Sequence, residues 1–203
     1  MKMIRFLFVC LCTGMFGNAA TSADFSDPTW PCVQRKVEEL SLGVMWPYPA
    51  TDTPIRDSLS ADASVLIEAL ALRRVSLEDA DKLIADFAAS HSDLTSDDLG
   101  QIFARVFKRI SADRRAIVGG IERYSLKQIS LAKAIDETRD AMTNHMQAEN
   151  PDFDEVDRLE EKLDWDERIY RDRAQSLTYV CETPVLLEQR AYAIAQALLK
   201  YVP

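Results

Sequence analysis

Apolar residues recur along most of this chain at three- and four-residue spacing, the pattern of helices that bury one face. Residues 62–75 carry Val65, Leu66, Ile67, Ala69, Leu70, Ala71 and Leu72, apolar nearly all round, which predicts a buried helix. Ser76, with Asp79 three residues on, predicts the cap of a second helix with Leu77, Ala80, Leu83, Ile84, Phe87 and Ala88 inward. Thr95 or Ser96 caps a third, whose inner face is Leu99, Ile102, Phe103, Val106, Phe107 and Ile110.

A longer pattern follows. Residues 111–150 hold no proline, and Ser111-Ala112-Asp113 reads as a fresh capping signal. Ile117, Ile121, Tyr124, Gln128, Leu131, Ile135, Thr138 and Met142 keep a strict 4-3-4-3 spacing, the seam of a coiled-coil pair. Asn150-Pro151-Asp152 reads as a turn, and 153–182 returns with Val156, Leu159, Leu163, Asp166, Tyr170, Arg173, Leu177 and Val180. Pairing about that turn sets Met142 near Leu159, Thr138 near Leu163, Leu131 near Tyr170, Gln128 opposite Arg173 and Ile121 near Val180. Pro184 is expected to end this arm and start a C-terminal helix at 184–203, with Leu187, Ala191, Ile194, Ala195, Leu198 and Leu199 inward. The prediction is an all-α fold: a long antiparallel helical hairpin at about 111–182, packed by three shorter helices and the C-terminal helix.

Residues 24–60 read as an extended arm, with a short helical piece at Val33 to Leu40. Pro28, Pro31, Pro47, Pro49 and Pro54 are five of the eight prolines, and each pushes its predecessor out of the helical region. Trp30, Trp46 and Tyr48 bring enough apolar area to strap this arm onto the helical body. Gly119-Gly120 offers a thin backbone where the arm could cross.

The first 23 residues read as an address. Lys2 and Arg5 precede an apolar run, Phe6 to Phe16, and small residues follow, with cleavage expected after Ala20 or Ala23. Such a run is too short to span a bilayer, which needs about 20 apolar residues. The rest of the chain shows no run of spanning length, so an exported, periplasmic protein without a membrane span is expected. Two of the four cysteines then remain, Cys32 and Cys181. In an oxidising compartment a lone distant pair reads as one structural disulfide, worth at most roughly 5 kcal/mol by loop closure. A redox centre would place its cysteines closer, as in Cys-x-x-Cys.

Composition narrows the function. The chain of 203 residues has 24 basic and 33 acidic side chains, a formal charge of −9, and lacks the basic footprint of a nucleic-acid binder. Residues 104–133 hold eight basic and two acidic groups, while 151–173 hold ten acidic and five basic, so the two arms are expected to attract.

Candidate chemistry is sparse. Met142, His145 and Met146 share one helical face near the hairpin tip, a donor set suited to Cu(I), although methionine is also a common gap-filler on a seam. Asp152, Asp154, Glu155 and Asp157 form an acidic helix start without the glycine and spacing of a calcium loop. His91 lies in a Ser-His-Ser-Asp connector that reads as a plain polar loop. No Walker, dinucleotide, zinc or nucleophile-elbow pattern occurs, so no enzyme activity is expected. These features point to a non-catalytic helical interaction protein with a protein partner in the cell envelope, or alternatively to a copper-handling protein.

Four segments carry a resemblance: Trp30-Pro31-Cys32-Val33-Gln34-Arg35-Lys36-Val37, Leu72-Arg73-Arg74-Val75-Ser76-Leu77-Glu78, Ile121-Glu122-Arg123-Tyr124, and Leu177-Thr178-Tyr179-Val180-Cys181-Glu182 through Leu187-Glu188-Gln189-Arg190. Together they resemble an uncharacterised family of exported all-helical alphaproteobacterial proteins. The resemblance implies export and the paired cysteines, and implies no activity or site.

Overall fold

The computed structural model describes residues 27–50 and 53–203. The expected leader and residues 24–26 of the arm lie outside the described residues. Among the described residues the elements are α1 (Leu42–Met45), α2 (Asp57–Ala71), α3 (Leu77–Ser90), α4 (Ser96–Met146) and α5 (Phe153–Leu199), and no strand forms. None of these helices is long and apolar enough to cross a membrane.

The all-α hairpin is present, with longer rods than expected. The third short helix and the first hairpin arm are one helix, α4, of 51 residues and roughly 75 Å. Ser111 is buried within it and caps nothing, since neither proline nor a core-facing break interrupts the apolar face there. The return arm and the C-terminal helix are likewise one helix, α5, which runs through Pro184. A proline inside a helix removes one hydrogen bond and costs about 3 kcal/mol. Leu187, Ala191, Ile194 and Leu198 beyond it are buried, and Cys181 before it is tethered, so both flanks are held in place regardless.

The caps are local and were readable. Ser76 Oγ accepts from the Asp79 N–H at 3.0 Å. Thr95 and Asp98 form a full capping box, Oγ1 to the Asp98 N–H at 3.2 Å and carboxylate to the Thr95 N–H at 3.0 Å. Helix α2 starts earlier than expected, at Asp57, and is not buried all round: Val65 is 71% exposed, while Leu59, Ala63, Leu66, Ile67 and Leu70 face inward.

The core sits at the root of the hairpin. Helices α2 and α3 pack on the first part of α4 and the last part of α5, around Trp46, Phe103, Ile110 and Leu187. Trp46 stacks on Phe103 with ring centroids 5.3 Å apart. Two buried arginines tie the outer pieces to this root without any carboxylate. Arg190 donates to the carbonyls of Leu70 and Val75 (2.8 and 2.7 Å), holding the C-terminal end of α2. Arg114 donates to the carbonyls of Val37 and Glu38 (2.6 and 3.3 Å), holding the arm. Burial lowers both guanidinium pKa values from their ordinary level.

The arm differs from its expectation in detail. No helix forms at 33–40; the single turn in this segment is α1, and Trp46 beyond it is the residue driven into the core. Nor does the arm cross at the glycine pair: a Cβ at Gly119 or Gly120 would meet only the Arg123 side chain. It crosses over Val118 and Ile121, where Trp30, Cys32 and Cys181 form a second small core.

Cross-hairpin bonds place the register within one helical turn of the expected pairing. Tyr124 Oη donates to the Arg173 carbonyl (3.5 Å), Gln128 Nε2 to the Tyr170 carbonyl (3.1 Å) and Lys162 Nζ to Thr138 Oγ1 (3.0 Å). The inward positions near the root are Leu177 and Cys181, and Arg173 and Val180 are exposed. In this register the acidic 152–167 segment lies beside the far end of α4, not beside the basic 105–127 segment. Arg139 to Glu167 is the only α4–α5 ion pair among the described residues, so the expected attraction between the arms reduces to that one contact.

Candidate functional site

Above the small core the two rods leave a groove. Its walls come from Ser125, Gln128, Ile129 and Ala132 on α4 and Tyr170, Ala174, Leu177, Thr178 and Cys181 on α5, and Pro31 of the arm closes its lower end. The opening measures about 430 Å³. Its cause is in the side chains: alanines at 132 and 174 and a polar pair, Gln128 and Thr178, stand where larger apolar residues would fill the seam. A second cleft of about 300 Å³ continues toward the tip, sharing Ala132 and Tyr170 and adding Ile135, Asp136, Arg139, Glu167 and Arg171. From Ser125 to Arg139 the combined groove spans roughly 20 Å at the helical rise.

The lower end is built by the arm. Cys32 and Cys181 lie at disulfide distance, with Cα atoms 5.5 Å apart. Around them Gln34 Nε2 donates to the Cys181 carbonyl, Trp30 Nε1 to the Gln34 carbonyl (2.7 Å), and Ser125 Oγ to the Pro28 carbonyl (2.8 Å). Lys36 adds an ion pair to Glu122, which raises the ammonium pKa. Ser125 and Trp30 bind arm carbonyls and Gln34 and Lys36 bind the rods through their side chains, so the arm is held to the rods on both sides of Pro31.

One polar atom in the groove is unmatched. Gln128 is buried, its Nε2 is taken by the Tyr170 carbonyl, and its Oε1 has no hydrogen-bond partner. A buried amide oxygen without a donor costs about 1–3 kcal/mol. Cys181 is paired, so the lining residues of the lower groove include no free thiol. In the upper cleft the hydrogen bond from Arg139 to Glu167 (2.5 Å) raises the Arg139 pKa. The surface offers apolar walls and, in the upper cleft, Arg139 paired with both Asp136 and Glu167: groups that bind.

The other expected sites resolve as follows. Met142 and His145 are half-buried on the last turns of α4, and Met146 is 57% exposed. Among the described residues no three His, Cys, Asp or Glu side chains gather as a metal cluster. Asp152 caps α5 by accepting from the Glu155 N–H (3.1 Å), and Glu155 is bound by Arg158, which lowers its carboxyl pKa. His91 is engaged on both ring nitrogens, Nδ1 donating to the Phe87 carbonyl (2.9 Å) and Nε2 near Asp62 (3.3 Å), with its ring against Phe87. The groove itself was not apparent from periodicity; the signal was the run of small and polar residues at seam positions near Gln128. Comparison with protein-family models, with curated proteins and with solved structures finds no match to this chain.

Proposed function

We propose that this protein is a non-catalytic helical interaction protein of the periplasm, an adaptor or accessory subunit of an envelope complex, that receives a partner segment in the hairpin groove. The observation that carries this reading is the groove between the rods, about 430 Å³, walled by Ile129, Ala132, Ala174 and Leu177 and bounded by Pro31 of the arm. A partner helix or extended segment covers Ile129, Ala132 and Leu177, in the manner of helix-in-groove recognition. Export is supported by the leader pattern of residues 1–23 and by a cysteine pair of the kind kept in oxidising compartments.

The test is a photocrosslinking residue at Thr178 in cells making the oxidised protein. Ala174→Trp fills the groove from an exposed position, so crosslinking to the partner should fall about tenfold while the melting temperature holds. A crosslinked product whose yield ignores Ala174→Trp, or no product at all, sinks the reading.

A further inference from the structure

The two rods carry opposite charge at opposite ends and on faces turned away from each other. Lys108, Arg115, Arg123 and Lys127 line the outer side of α4 near the root beyond a half-buried Arg105, which with Lys108 edges a cleft against Ser64 and Glu68 of α2, and none of the five forms an ion pair among the described residues. Asp154, Asp157, Glu161 and Asp164 line the outer side of α5 near the tip at helical spacing, all exposed and equally unpaired among the described residues. The register leaves about 36 Å between the centres of these stripes along the hairpin. Neither can reach the other within one chain.

We propose that the acidic tip stripe of one chain docks on the basic root ridge of a second copy. The charges complement in sign and in spacing, since the exposed Lys108 and Arg115, seven residues apart on the ridge, match Asp157 and Asp164 on the stripe. Each face adds one apolar side chain: Leu126 among the ridge cations, 51% exposed, and Trp165 beside the stripe, 61% exposed. Both faces point away from the partner helix, so they occupy opposite flanks and the contact is head-to-tail, able to extend from copy to copy. The stripe is only about 15 Å long, which makes the interface smaller than a standard one and the association weak and salt-sensitive. None of these residues lines the groove, so the inference is independent of the partner proposed for it.

The experiment is sedimentation of the purified oxidised protein at ~0.5 mM, in ~20 mM and ~500 mM salt. The average mass should exceed the monomer by about half or more at low salt and return to monomer at high salt. Arg115→Glu with Arg123→Glu cuts the five-cation ridge to a net charge of +1, and Asp157→Lys with Glu161→Lys takes the stripe from −4 to zero, so each variant alone should be monomeric. Mixing the two should restore association, because each then offers what the other lacks; far-UV circular dichroism confirms that both are folded. A monomer at low salt, association indifferent to salt, either variant assembling alone, or a mixture that stays monomeric overturns the proposal.

Discussion

Asp98 and Arg56 meet side-on, Nε to Oδ1 at 2.9 Å and Nη2 to Oδ2 at 3.0 Å, while the same carboxylate caps α4 through Thr95. One buried side chain thus joins the chain entering α2 to the start of the longest helix. Burial opposes its charge, but the Thr95 hydroxyl and the Arg56 guanidinium outweigh that and hold the carboxyl below its ordinary value. A depressed carboxyl binds fewer protons folded than unfolded, so its stabilisation is complete above about pH 4 and is lost as pH falls through the folded value. Asp98→Asn should therefore destabilise by about 2 kcal/mol at pH 7 and by much less near pH 2. Urea titrations at the two pH values check this; an equal loss at both would refute the assignment.

Arg190 is the second tie. Arg190→Leu leaves the carbonyls of Leu70 and Val75 buried without donors, and we expect a loss of roughly 3 kcal/mol. Arg190→Lys should recover part of it, since an ammonium can serve one carbonyl but not the fork of two. Thermal melts of the three proteins measure the order.

The glycines of α4 should respond with opposite sign. A Cβ at Gly100 would lie 3.2 Å from Nε1 of the fully buried Trp46 and 3.3 Å from the Pro49 backbone carbonyl. Gly100→Ala should destabilise despite its better helix propensity. At Gly119 the Cβ meets only the flexible end of Arg123, so Gly119→Ala should stabilise by about 0.5–1 kcal/mol. Chemical denaturation of both variants decides it.

Reducing the Cys32–Cys181 pair removes a tether across 149 residues. The loss should be about 2–5 kcal/mol. The root core contains neither cysteine, so the helical circular dichroism should persist while trypsin gains access at Arg35 and Lys36. Cleavage in the arm before any loss of ellipticity is the expected order; simultaneous loss would show that the arm and the root unfold together.

Periodicity made much of this fold legible. The seam spacing from Ile117 to Met142, the caps at Ser76 and Thr95 and the distant cysteine pair all rest on local or one-dimensional signals. What stayed hidden depends on tertiary balance. Ser111 looks like a cap and Pro184 like a stop, but burial on both flanks carries the helices through them. Nothing in the sequence around Arg114 and Arg190 announces the backbone carbonyls that receive them. Gln128 stands on the seam in the sequence, but the groove it helps line follows from how the two rods pack.

The unbroken rods have a mechanical consequence. Each of the two begins or ends in the root core and reaches the far turn without a joint, so the hairpin behaves as a cantilever clamped at one end. A sideways load of piconewton scale at residues 147–152 is transmitted through α4 and α5 to Phe103 and Leu187, rather than being absorbed by a hinge on the way.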